Sequence, residues 1–144
     1  MVESGRFVRF EATKRPITVA GRAASSTNSA TWSTHRDAVA STAGEGIGFV
    51  LGDGFGCIDL DHCIVDGEMA PWAAAVIAAN PGTYAEISRS GEGVHIFGLL
   101  AEGPGRKIRD GRNIEIYSAG RYIALTLNRL LGAPLALKPL VVPS

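Results

Sequence analysis

The sequence has no excess of either charge: Lys plus Arg and Asp plus Glu each number 14 among 144 residues. That excludes a uniformly basic surface built to wrap a polyanion, so any nucleic-acid contact has to come from local clustering. Cysteine is scarce, with only Cys57 and Cys63. On one extended strand the pair would stand about 20 Å apart, beyond disulfide reach, so a disulfide scaffold is excluded and a reducing cytoplasm is expected. No apolar run approaches the ~20 residues of a membrane-spanning helix, and the polar start MVESGR has no signal-peptide core, so no membrane role is expected. Aromatic residues are few, at 7%. The remainder, 46% apolar and 19% charged, is nevertheless the composition of a folded globular chain long enough for one compact domain.

Periodicity predicts an α+β order. RFVRF (residues 6–10) reads as a short strand. A helix is expected from Asn28 or Ser29 to about Ser41, with Trp32, His35 and Val39 on one face. GIGFVLG and CIDLDHC, joined by Gly52-Asp53-Gly54-Phe55-Gly56, read as a hairpin. A second helix is expected from about Glu68 to Ala79, with Pro71 in its first turn and Asn80-Pro81-Gly82 stopping it. TYAEIS and VHIFGLL read as strands around the loop SGEG. The basic loop GPGRKIRDGR leads to NIEIYS and RYIALTL, read as a pair across Ser118-Ala119-Gly120. The expected architecture is a mixed, largely antiparallel sheet with helices on one face. The tail at 127–144 reads as irregular.

The chemistry is expected where charge interrupts this apolar alternation. Side chains alternate faces along a strand, so in CIDLDHC Ile58 and Leu60 point one way while Asp59 and Asp61 point the other. VHIF sets His95 apart from Val94 and Ile96, and NIEIY sets Glu115 apart from Ile114 and Ile116. Glu115 alone reads as a solvated strand residue. Two aspartates on one strand face are harder to account for, because Asp is depleted in strands and like charges repel unless a cation lies between them. Mg²⁺ or Mn²⁺ suits carboxylate oxygens and leaves room for phosphate. A sugar-nucleotide transferase or an aspartyl-phosphate hydrolase would carry a similar Asp-x-Asp. A zinc site is disfavoured, since Cys57, His62, Cys63 and His95 lack paired-ligand spacing. The cysteines are expected to be small buried filler, and His62 a hydrogen-bonded histidine on the aliphatic face.

Two further segments carry signal. Ser88-Arg89-Ser90-Gly91-Glu92-Gly93 leads into His95; its glycines would let backbone N–H groups approach an anion. Arg106, Lys107, Arg109 and Arg112, followed by Arg121, run into the strand that bears Glu115, and Lys14, Arg15 and Arg22 could extend such a path. Tyr84, Tyr117 and Tyr122 could stack bases, although packing explains each as well.

Taken in order, KRPITVAGRAASSTNSATWSTHRDAV, GIGFVLGDGFGCIDLDHC, GTYAEISRSGEGVHIFG and NIEIYSAGRYIALT resemble the bifunctional primase–polymerase domain of the archaeo-eukaryotic primase superfamily, found in phage and plasmid replication proteins. The resemblance covers about residues 6–126. It implies a small N-terminal α/β unit over residues 1–45 and a recognition-motif-like catalytic sheet over 46–126, with Asp59, Asp61 and Glu115 as catalytic metal ligands for Mg²⁺ or Mn²⁺. It also implies nucleotide contacts from Ser90, Gly91, Gly93, His95 and Arg121, with Glu86 as support for the site. Lys14, Arg106, Lys107, Arg109 and Arg112 become candidate nucleic-acid or phosphate contacts. The implied partners are a single-stranded or primed DNA template, nucleoside triphosphates and a helicase, in the host cytoplasm if the chain is phage-encoded. The last strand reads ALTLNRL where relatives often have glycine after the Thr, so its exit is expected to differ. The rival readings are a non-catalytic replication-initiator module that binds nucleic acid and a metal-dependent phosphohydrolase.

Overall fold

The computed structural model describes residues 1–144. It is α+β: antiparallel sheets with two short helices, none of them long and apolar enough to cross a membrane. The chain divides into two compact units, Met1–Leu51 with Gly120–Leu125, and Gly52–Ala119 with Thr126–Ser144.

The first unit carries β1 (Phe7–Phe10), β2 (Pro16–Ile17), a 3-10 turn (Ser29–Thr31), α1 (His35–Ala40), β3 (Gly46–Val50) and β11 (Tyr122–Ala124), with sheet order β11-β3-β1-β2. Phe7 and Phe49 meet edge-on at 5.2 Å, and Val8, Phe10, Val50 and Leu51 are buried with them. Arg9 is buried too. Its guanidinium donates to the carbonyls of Ala38 and Ala43, binding α1 and the chain beyond it to β1. The helix expected over 28–41 is broken. Ser33 is claimed by β1, exchanging backbone hydrogen bonds with Phe7, and Trp32 is extended, with its indole N–H on the Ser25 carbonyl at 2.7 Å. Asn28 caps only the 3-10 turn, and Thr34 restarts the helix by accepting from the Asp37 N–H.

The second unit contains β4 (Phe55–Leu60), β5 (Ile64–Val65), β6 (Glu68–Met69), α2 (Pro71–Ala78), β7 (Ala85–Ile87), β8 (Val94–Leu99), β9 (Arg106–Ile108) and β10 (Ile114–Tyr117). Its five-stranded sheet has the order β7-β8-β4-β10-β9, every pair antiparallel, and β5 and β6 form a separate small ribbon. One face is aliphatic: Ile58 and Leu60 from β4, Val94 and Ile96 from β8, Ile114 and Ile116 from β10. Ala73 and Val76 of α2 pack against it. Each of the six branched aliphatic side chains of the sheet contributes about 1.5–3 kcal/mol on burial. Cross-strand charge repulsion is worth roughly 0.2–1 kcal/mol per pair. The apolar face therefore sets the register, and the other face is free to carry unfavourable charge.

Both expected hairpins are absent, for one reason. A strand has two edges: those of β4 are taken by β8 and β10, and those of β3 by β1 and β11. The glycine-rich turn at 52–55 therefore joins strands of different sheets. β10 and β11 likewise do not pair, and β11 belongs to the first unit with β3, so the expected boundaries at 45/46 and 126/127 shift. The basic loop also contains a strand, β9, and α2 begins at Pro71 because Glu68 and Met69 are spent in the ribbon.

The tail is irregular but packed. The Leu140 N–H donates to the Leu99 carbonyl and the Leu99 N–H to the Lys138 carbonyl, a parallel bridge of Leu99 with Pro139. A Cβ on Gly98 would stand 2.5 Å from both the Leu140 side chain and the Lys138 carbonyl oxygen. Gly98→Ala is expected to cost about 1–3 kcal/mol in chemical denaturation, with tail residues losing amide protection first; unchanged stability would mean that the tail does not pack on β8.

Candidate active site

Directly opposed residues of antiparallel strands share a face. Glu86 of β7 stands opposite His95 of β8, His95 opposite Asp59 of β4, Asp59 opposite Glu115 of β10, and Glu115 opposite Lys107 of β9. One row of ionisable side chains thus crosses all five strands, on the face opposite the aliphatic core. Asp61 follows Asp59 by one alternation: its N–H continues the ladder onto the Asn113 carbonyl, and its side chain is half exposed.

Asp59 and Glu115 are direct cross-strand neighbours of like charge, and the charge is balanced locally. The Tyr117 hydroxyl donates to Glu115 Oε1 and Arg109 to Oε2 at 2.7 Å. The Tyr117 hydroxyl, followed by the Arg109 guanidinium, holds the Glu115 carboxyl below its ordinary range, against the opposing effect of burial. His95 Nε2 lies 3.9 Å from Asp59 Oδ1. The donors here are hard oxygens, which suits a divalent cation such as Mg²⁺ or Mn²⁺. They do not form a closed cage, since no three His, Cys, Asp or Glu side chains are gathered around one metal position.

Glu86 is fully buried. A buried carboxyl costs several kcal/mol unless its lone pairs are used, and here all of them are. Oε1 accepts from the Tyr84 hydroxyl at 2.9 Å and the Leu127 N–H at 3.2 Å. Oε2 accepts from the Thr126 N–H at 3.0 Å and stands 3.0 Å from His95 Nδ1. Burial and the Glu86 carboxyl push the Tyr84 phenol up, keeping it a donor. Leu127 sits at φ 58°, a left-handed conformation, directly after Thr126, where the exit from the strand was expected to differ.

The loop at 88–93 serves itself. The N–H groups of Gly91, Glu92 and Gly93 go to the Ser88 carbonyl, Ser90 Oγ and Ser88 Oγ, so these backbone donors are spent inside the turn. Gly93 is required by closeness, since a Cβ there would lie 2.6 Å from the Leu60 carbonyl oxygen. The Ser90 hydroxyl is exposed, 3.1 Å from Ser88 Oγ, and the side chains of Arg89 and Glu92 are exposed beside it.

The basic residues separate. Arg109 holds Glu115, and Arg112 forks onto Asp110, whose carboxyl it holds down to about 2. Arg106 and Lys107 are exposed on the edge strand β9, and Lys107 faces the ionisable row. Lys14 and Arg121 belong to the first unit, where the Lys14 carbonyl accepts from the Tyr122 hydroxyl and the Arg121 carbonyl from the Leu51 N–H. His62 is not on the aliphatic face. The strand ends at Leu60, and His62 takes φ 49°, exposed and 3.7 Å from both Asp61 and Glu92. Cys63 has therefore left the strand and packs in the aliphatic core, while Cys57 is buried on the ionisable face; both are free.

Sequence reasoning ranked Glu86 low and missed Tyr117 and Arg109 as partners of Glu115. The parity of Glu86 between Ala85 and Ile87 was a usable signal. The backbone donors at 126–127 left none.

No protein-family model matches the chain. It is similar to a curated protein named DNA Primase-polymerase from Nitratiruptor phage NrS-1, with 35% identity over 117 residues, covering 74% of this chain. That likeness supports the resemblance to primase–polymerase domains. The match spans 16% of the relative's length.

Burial, reinforced by Asp59 and Glu86, pushes the Cys57 thiol well up, and burial pushes Cys63 up to about 11. A raised thiol pKa depletes thiolate, so Ellman's reagent at pH 8 is expected to label neither cysteine in the folded chain and both in guanidinium; rapid native labelling would contradict their burial. Leu127→Gly removes left-handed strain and keeps the N–H bonded to Glu86. It is expected to raise stability by about 0.5 kcal/mol in urea titration.

Proposed function

We propose that the chain is a primase–polymerase catalytic domain of the archaeo-eukaryotic primase superfamily, performing template-directed nucleotidyl transfer in phage or plasmid DNA replication. The carrying observation is the facing of Asp59 and Glu115 across β4 and β10, flanked by His95, on the face opposite the core. A module that only binds a polyanion has no use for like-charged carboxylates in register. The likeness to a protein named DNA Primase-polymerase supports the same reading. In this reading the five-stranded sheet is the recognition-motif-like catalytic sheet.

Asp59, Asp61 and Glu115 would hold Mg²⁺ or Mn²⁺, and Arg109 now neutralises Glu115 where a cation would do so. When bound, such ions supply charge stabilisation at the attacking and leaving oxygens of an in-line displacement at phosphorus. The protein's own contribution is positioning and fixed charge, since no covalent enzyme intermediate is required. His95 Nε2 and the Ser90 hydroxyl face the triphosphate of the incoming nucleotide, and Gly91 and Gly93 shape the turn that carries Ser90. Arg121 is a further nucleotide contact. Lys14, Arg106, Lys107, Arg109 and Arg112 are contacts for a single-stranded or primed DNA template, and a helicase is the natural partner in a longer replication protein.

Labelled deoxynucleotides, Mg²⁺ or Mn²⁺ and a primed template test this directly. Extension is expected; phosphate release without extension would indicate a hydrolase, and binding without turnover an initiator module. Asp59→Ala with Asp61→Ala is expected to abolish extension while circular dichroism and stability, within about 1 kcal/mol, stay near wild type. Extension by the double variant would remove the metal assignment. Replacing Arg106 and Lys107 with Ala is expected to lower the slope of log affinity against log salt for single-stranded DNA by about 1.4, as read by fluorescence anisotropy.

A further inference from the structure

The proposed reaction leaves Glu86 without a task, although it is the most heavily hydrogen-bonded side chain in the second unit. Its four donors are the Tyr84 hydroxyl, the backbone N–H groups of Thr126 and Leu127, and the His95 ring at Nδ1. A carboxylate offers only acceptors, so the imidazole meets it with Nδ1–H, and the tautomer follows from the network. That hydrogen bond turns Nδ1 inward. Nε2 is then the one ring nitrogen on the Asp59 side of the row. An edge contact with Phe97, ring centres 6.1 Å apart, limits rotation of the ring.

We propose that Glu86 is a positioning residue for nucleotide capture. It fixes the tautomer and ring orientation of His95, and its carboxyl ties that orientation to the chain segment at Thr126 and Leu127. The proposal rests on the reading of His95 as the nucleotide-contacting group. Glu86 does not itself touch nucleotide. Its place matches the general design in which a buried carboxylate orients a functional histidine through the nitrogen that does not act. The alternative is that Glu86 only anchors the segment at 126–127, with His95 a bystander.

Two measurements separate these. The first needs no variant: ¹⁵N spectra of the His95 ring in the wild-type chain, without nucleotide or metal, should show the neutral ring protonated at Nδ1. A ring protonated at Nε2 overturns the proposal. The second is a cycle of Glu86→Gln, His95→Ala and the double variant, each checked for fold by amide spectra, with binding of a non-hydrolysable deoxynucleoside triphosphate in Mg²⁺ measured by calorimetry. Glu86→Gln is expected to weaken binding about tenfold, with no further loss once His95 is Ala. If the full loss from Glu86→Gln persists in the His95→Ala background, Glu86 acts on the fold at large and the proposal fails. If His95→Ala weakens binding and Glu86→Gln does not, the positioning role fails while the nucleotide reading stands. If His95→Ala has no effect, the nucleotide reading itself falls, and this inference with it.

Discussion

The register of β4 between β8 and β10 is the constraint on which the second unit depends. Six branched aliphatic side chains on those three strands must meet one another and α2 on one side, and a slip of one residue would turn all of those on the shifted strand outward. Because they are held, their alternate neighbours are held too. His95, Asp59 and Glu115 come into line as a consequence of apolar packing, not through attraction among themselves. The repulsion between the two carboxylates is small against the burial that aligns them, so the fold can keep charge in a costly arrangement.

The row is graded in its surroundings. At one end Glu86 is fully buried with every lone pair occupied; at the other Lys107 is exposed on an edge strand. Between them, Asp59 is partly open and Glu115 is held by a phenol and a guanidinium. The buried end is rigid because breaking any of its bonds would strand a polar atom, and no buried side-chain nitrogen or oxygen in the chain lacks a partner. The open end carries the groups able to exchange partners.

Much of this was legible by strand parity. Asp59, His95 and Glu115 were each set apart from their aliphatic neighbours, and the strands bearing them were found. Parity cannot say which strand lies next to which, so the glycine-rich turn at 52–55 and the short link at 118–120 were both read as hairpins. In the fold, each of those strands has its edges taken by others. The helix expected over 28–41 failed because a backbone pairing between Phe7 and Ser33, distant in sequence, outweighed local propensity. His62 was misplaced because alternation was carried past Leu60, where the strand ends in a left-handed turn.

The sequence by itself determined the α+β class, the aliphatic faces of three strands and the identity of the charges opposite them, because alternation is a local property of an extended chain. Tertiary structure decided the order β7-β8-β4-β10-β9, and with it that Asp59 faces Glu115 and that His95 rests on Glu86. It also decided that the backbone at 126–127 would close the last two lone pairs of that glutamate. These are contacts between residues up to 56 positions apart along the chain, 59 to 115, and what selects them is the collective burial of a face.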